Sequence, residues 1–84
     1  MASRTTTPGF RDQRYRDVIE QLVARRRELG MTQQALAERL GLHKQFVSRV
    51  ELGERRLDFV ELADLARALD LDPGLILERV PRSS

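Results

Sequence analysis

Side chains of the kinds that recognise DNA bases are concentrated in one short stretch near the middle of the chain. In the major groove, Arg and Lys bind guanine, Gln binds adenine, and apolar groups contact the thymine methyl group. If the stretch is a helix with Val47 pointing inward, Gln45 and Arg49 point outward, because successive residues are about 100° apart. The predicted base-reading residues are Lys44, Gln45, Phe46, Ser48 and Arg49. Phe46 has a second interpretation, as a cover for the edge of the core.

Residues suited to phosphate contact lie on both sides of this stretch. Thr32 is a good helix cap, so Gln33 falls in the first turn of a helix. There its side-chain amide and the free N–H groups of the helix can bind a phosphate. Arg55 and Arg56 can clamp a neighbouring phosphate or enter the minor groove, unless they belong to an ordinary charged loop.

Helices must position these residues, because the apolar residues recur with helical periodicity and no β-hairpin signal occurs. The pattern predicts a first helix closing at Gly30, a second over residues 33–40 and a third over about 44–51. A fourth helix begins at Asp58 and a short fifth at Asp72, each with Asp as its cap. On the fourth helix, we expect one apolar face made of Phe59, Leu62, Ala63, Ala66 and Leu69. On the first helix, the expected apolar arc contains Tyr15, Ile19, Leu22, Val23, Arg26 and Leu29.

The domain organisation follows from this pattern. We expect one compact all-α domain over residues 12–80, an irregular arm over residues 1–11 and a short tail over residues 81–84. Within the domain, Ala37, Gly41 and Val47 have the spacing of a helix-turn-helix, in which a small residue allows two helices to cross closely. The second and third helices are therefore predicted to form that motif.

The segment TQQALAERLGLHKQFVSRVELGERR, together with the helices around it, resembles the phage-repressor and Cro-like (XRE-type) helix-turn-helix family. The resemblance spans roughly residues 16–78. It implies a five-helix fold like that of lambda repressor and sequence-specific binding of double-stranded DNA in transcription regulation. In its small size, the chain also resembles the controller proteins of restriction–modification systems. Two positions depart from the family pattern: Leu52 stands where Asn is common, and His43 replaces the usual Ser or Thr cap of the third helix.

One charged residue, Arg26, lies near the centre of the first helix's apolar arc. An unpaired guanidinium at that position would cost several kcal/mol. Glu51 is the best candidate partner, because it lies about 40° from inward-facing Val47, and the family resemblance implies the same pair. The alternative is that Arg26 extends along the helix surface to water.

The fifth helix has more apolar residues than one core can bury. Ile76 is expected to complete the core, which leaves a predicted dimer surface formed by Leu75, Leu77 and Val80. Regulators with one recognition helix bind as two-fold dimers on half-sites about 34 Å apart, because one helix reads too few base pairs. The alternative is that these apolar residues are exposed without a partner.

Length and composition exclude several classes of function. The chain has 84 residues, a net charge of +2, no cysteine and a single histidine. This size and composition exclude a multidomain enzyme and thiolate metal sites, and we expect no metal, cofactor or small-molecule ligand. Without an apolar run of about 20 residues or a secretory signal, we expect no membrane partner and a cytoplasmic location. Residues 1–27 carry seven arginines against three acids, whereas residues 57–84 carry six acids against three bases, so the C-terminal end is expected to face away from DNA.

The favoured interpretation is a non-enzymatic, homodimeric transcription regulator. An interaction module of the same fold, such as an antitoxin or a transcription adaptor, is the alternative. Such a module would be expected to have an extended C-terminal tail that wraps a partner, whereas only residues 81–84 follow the fifth helix. An enzyme has little support, because the sequence lacks a carboxylate pair, a nucleophile with a base and a glycine-rich phosphate loop.

Overall fold

The computed structural model describes residues 12–82, and within that range every regular element is a helix. The five helices are α1 (Gln13–Glu28), α2 (Gln33–Leu40), α3 (Lys44–Leu52), α4 (Phe59–Ala68) and α5 (Pro73–Glu78). The predicted all-α, five-helix fold is confirmed, with α2 and α3 forming the helix-turn-helix. The predicted arm over residues 1–11 lies outside the described residues. Over residues 12–82, no helix has the length and hydropathy needed to cross a bilayer.

The helices begin where the sequence places side chains that can accept a backbone N–H. Thr32 Oγ1 accepts from the N–H of Ala35 at 3.0 Å, and Asp72 caps α5 in a similar way. At the start of α4, Asp58 accepts from the N–H of Glu61, and the Glu61 carboxylate accepts from the N–H of Asp58. This reciprocal capping box satisfies donors that a helix N-terminus leaves unpaired.

The turn between α2 and α3 depends on two small residues. Gly41 adopts φ +69°, a left-handed conformation that costs glycine no steric clash. The N–H of Leu42 then donates to the carbonyl of Ala37 at 2.9 Å, which closes the end of α2. Ala37 is fully buried where the two helices meet. A larger side chain there would separate α3 from α2 and move the surface that α3 presents.

The core lies between the five helices and receives apolar side chains from each of them. Its largest fully buried members are Leu36, Leu69 and Val47, and Ile76 of α5 is also buried. Two arginines secure the C-terminal end of α4: Arg25 Nε donates to the carbonyl of Leu69, and Arg39 Nη1 to that of Ala68. Cations at a helix C-terminus pair with carbonyls that have no partner inside the helix.

The apolar faces expected from periodicity are corrected at four positions. Phe59 is 80% exposed, although its angular position placed it with the buried residues of α4. It is the first residue of that helix, and angular position does not tell whether a neighbouring element extends to the helix end. Leu29, at the end of α1, is also exposed. Val18 of α1 and Leu65 of α4, which lay outside the expected faces, are buried.

Candidate nucleic-acid interface

One side of α3 packs into the core and the opposite side is open to solvent. Val47 and Val50 are buried, and Lys44, Gln45 and Arg49 are exposed. Ser48 and Phe46 are half-buried on the flanks, and Phe46 also packs against the core. Helical geometry thus produces an outward row of long polar side chains held by an apolar inward row. Leu52, at the end of the same helix, is 65% exposed.

The two ends of α3 are built differently. At its start, His43 adopts the extended backbone of a cap residue but accepts no hydrogen bond through its side chain. At its end, Gly53 has φ +81°, and a Cβ at this position would lie 2.9 Å from Arg16 Nη1 of α1. Glycine is favoured here by the left-handed backbone, whereas the Arg16 side chain, which is exposed, could move away from a Cβ. The N–H of Glu54 donates to the carbonyl of Arg49 at 2.8 Å and completes this helix end.

A buried ion pair joins α3 to α1. Arg26 is 8% exposed, and it donates from Nε to Glu51 Oε2 at 2.6 Å and from Nη2 to Oε1 at 2.9 Å. Its Nη1 donates to the carbonyl of Met31 at 2.7 Å. The structure thus brings together the two residues predicted as a pair from the sequence. A two-bond contact fixes orientation as well as distance, so it holds α3 at one angle to the rest of the fold.

Gln33 belongs to the same network. Its Nε2 donates to Glu51 Oε1 at 2.8 Å, which places the side chain of the first α2 residue beside the base of α3. From the sequence, this amide was predicted to bind a phosphate, and its contact with Glu51 was not predicted. The backbone N–H of Gln33 remains outside the hydrogen-bond ladder of α2, as expected at a helix N-terminus.

The guanidinium of Arg55 is held by Glu61. Arg55 Nη1 and Nη2 donate to the two carboxylate oxygens of Glu61 at 2.9 and 2.8 Å, and the guanidinium lies 4.7 Å from the centre of the Phe46 ring. The hydrogen bonds from Arg55, with help from the N–H of Asp58, hold the pKa of the Glu61 carboxyl below its ordinary value. From the sequence, Arg55 was predicted to contact a phosphate or the minor groove, with an ordinary charged loop as the alternative, and its partner Glu61 was not predicted. The capping-box position of Glu61 placed its carboxylate near the α3–α4 segment and was the available signal.

The remaining predicted site residues lie at two separate places. Arg56 is exposed in the segment between α3 and α4. The predicted dimer residues Leu75 and Leu77 are each about half exposed on α5, whereas Val80, just after that helix, is half-buried against the core. The residues predicted to contact bases and phosphates therefore lie around α3, and the residues predicted to form a dimer surface lie around α5.

Comparisons with known proteins agree with this architecture. A family model described as helix-turn-helix matches residues 22–76. A solved structure of an XRE-family like protein from Pseudomonas syringae pv. tomato str. DC3000 is 38% identical to this chain, with a TM-score of 0.79. The match covers 83% of this chain and 85% of that one. No curated protein matches the chain.

Proposed function

The chain belongs to the XRE-type helix-turn-helix family of DNA-binding regulators, and from this premise we propose that it binds operator half-sites as a homodimer. In this proposal, residues 12–80 form the DNA-binding domain and α3 enters the major groove. The role is non-enzymatic, and it is exercised in the cytoplasm, where the protein meets its operators.

The observation that carries the proposal is the state of the outward side chains on α3. Within residues 12–82, Lys44, Gln45 and Arg49 are exposed and form no hydrogen bond or ion pair with another side chain. By contrast, Arg26 and Arg55 are both held by carboxylates. Polar groups with no internal partner on a rigidly held helix are free to pair with base edges.

We assign base reading to this outward row. Arg49 and Lys44 suit guanine, and Gln45 suits adenine. Phe46 lies on the flank, where its ring is a candidate contact for a thymine methyl group. Ser48, half-buried on the other flank, can donate to either a base or a phosphate.

Phosphate contacts would place α3 in the groove. The helix N-terminus at Gln33 offers a backbone N–H, and its side chain is oriented by Glu51. Arg56 is the exposed cation after α3 and is the stronger candidate for a phosphate clamp. Arg55 remains part of the proposed interface, but its charge is neutralised by Glu61 and its contact with Phe46 supports the recognition surface.

The proposed dimer accounts for the exposed apolar side chains of α5. Leu75 and Leu77, with Val80 beside them, form a surface on the part of the chain that is rich in acids. Burying this surface against a second copy would remove apolar area from water. Two copies could then present their α3 helices to half-sites about 34 Å apart.

Selection of bound fragments from a random duplex pool tests the proposal. We expect enrichment of two-fold symmetric sites whose half-sites are separated by about one helical turn. Variants Arg49→Ala and Arg67→Ala form a matched pair, because Arg67 is an exposed arginine on α4. The Arg49 variant should change the enriched sequence and the Arg67 variant should not. Absence of gel retardation by any duplex at low ionic strength would refute DNA binding through α3.

A further inference from the structure

An apolar groove of about 390 Å³ lies on the side of the fold formed by α1, the α3–α4 segment, the start of α4 and α5. Tyr15 of α1, Leu57 of the α3–α4 segment and Leu77 of α5 line it, together with Val80. The base-reading row of α3 does not contribute to this groove. Its volume lies within the range of about 300–1,000 Å³ that pockets for other groups occupy.

A convex apolar group lies at the edge of the same groove. Phe59 is among the lining residues, yet it is 80% exposed, and Leu77 is 53% exposed. A phenylalanine left in water loses the stabilisation that burial would give. The groove and the exposed ring therefore form two complementary features on one face of the molecule.

We propose that each groove receives Phe59 from a second copy of this chain, an inference that rests on the homodimer proposed above. A two-fold axis brings the same surface patch of both copies into contact. Because Phe59 and the groove are neighbours on that patch, the ring of each copy enters the groove of the other. Leu77 and Val80 belong both to the groove and to the proposed α5 dimer surface. The groove thus extends that surface from α5 to the start of α4.

The charges around the groove support a second copy as the occupant. The charged lining residues are two acids, Asp12 and Asp58, and two bases, Arg14 and Arg56. Asp12 is already paired with Arg14 at 2.6 Å. A rim balanced in this way is complementary to itself, whereas a strongly acidic or basic partner would meet as many like charges as opposite ones.

Filling the groove would also affect the DNA-binding side of the molecule. The hydroxyl of Tyr15 accepts from the backbone N–H of Leu57 at 3.0 Å, which joins the groove wall to the segment that follows α3. Arg56, the proposed phosphate clamp, is the preceding residue. Insertion of a ring against Tyr15 and Leu57 would restrict this segment, so dimerisation is expected to increase operator affinity.

The experiment uses the full chain and its only tyrosine, since Tyr15 lines the groove and the chain has no tryptophan. Sedimentation should show a concentration-dependent dimer, and acrylamide quenching of Tyr15 fluorescence should decrease as the dimer forms. Phe59→Ala and Phe59→Glu should weaken dimerisation by at least about tenfold, since each dimer loses two buried rings. The Glu variant should fold, because a carboxylate is favourable in the first turn of α4.

The matched control is Leu29→Ala, an exposed leucine about 21 Å along α1 from Tyr15. It should leave both dimerisation and quenching unchanged. A mixture of Phe59→Glu and Leu77→Arg chains should dimerise more tightly than either variant alone. In the mixed dimer, Phe59 of the Leu77→Arg chain enters the unaltered groove of the other chain. At the second groove, the introduced glutamate and arginine have opposite charges.

Three outcomes would overturn the inference. In the first, the Phe59→Glu variant dimerises as tightly as the unaltered chain, whereas the double variant Leu75→Glu, Leu77→Glu is monomeric. This result would refute the role of Phe59 but would still support the proposed homodimer. The second is an unaltered chain that remains monomeric both free and on its selected duplex, which would also remove the proposed homodimer. The third is an increase in Tyr15 quenching in dilute, monomeric protein after deletion of residues 1–11, which would assign the groove to the chain's own N-terminal segment.

Discussion

Replacing Glu51 with alanine is expected to destabilise the fold far more than its single charge suggests. The substitution removes both carboxylate bonds of Arg26 and the acceptor of Gln33, and leaves Arg26 with only the carbonyl of Met31. Because Arg26 is 8% exposed, water cannot readily replace those bonds. Breaking a buried pair by removing one partner costs about 3–5 kcal/mol.

This cost is large for a chain of 84 residues. Total stability is about 0.05–0.15 kcal/mol per residue, which gives roughly 4–12 kcal/mol for the whole domain. In domains of this size, each kcal/mol shifts Tm by about 4–8 °C, so Glu51→Ala should lower Tm by more than about 10 °C. Thermal unfolding followed by circular dichroism measures this shift directly.

The matched control is Glu54→Ala, which removes an exposed carboxylate three residues further along the chain. A surface substitution of this kind should change stability by no more than about 0.5 kcal/mol. Replacing Arg26 and Glu51 together with Met and Leu should recover much of the loss, because no buried charge is then left unpaired. Equal Tm decreases for Glu51→Ala and Glu54→Ala would refute the reasoning.

Three further predictions concern DNA affinity and acid stability. Arg49→Ala should cost about 1–3 kcal/mol of affinity for the selected site and relax base preference at one position, as measured by competition with substituted duplexes. Arg56→Ala should weaken binding to all duplexes alike and reduce the salt-dependence slope by about one unit, and a sequence-dependent loss would contradict the phosphate assignment. Glu61→Gln keeps an acceptor for the capping box but weakens the hold on Arg55, so non-specific affinity and the salt slope should both rise. Because the folded pKa of Glu61 lies below its unfolded value, its contribution to stability is present above the unfolded pKa and is lost as pH falls through the folded pKa. The acid side of the stability profile should therefore be flatter in Glu61→Gln, and an unchanged profile would contradict this.

Helix positions were predictable from sequence because their signals are local. Thr32, Asp58 and Asp72 cap helices within a few residues of themselves, and Gly41 and Gly53 adopt the left-handed backbone that ends a helix. Hydrophobic periodicity then determines which side of each helix faces inward. For the same reason, the outward orientation of the α3 residues could be predicted before any tertiary contact was known.

Tertiary structure decided which charges are available for a partner. In the sequence all arginines count equally toward the charge, yet Arg25 donates to a carbonyl 44 residues away and Arg39 to one 29 residues away. Arg55 is likewise held by Glu61. Such pairings depend on which helix ends come together in space, and no local pattern records that distance.

The sequence by itself determined the five helices and the helix-turn-helix, because periodicity and capping act within one element. It predicted the carboxylate of Glu51 as the partner of Arg26 but left open an arginine that extends to water. Only the tertiary structure decided that Gln33 shares that carboxylate, that Phe59 extends beyond the core, and that a groove lies beside it. Those features arise where three or more elements meet, and their geometry depends on packing between residues far apart in the chain.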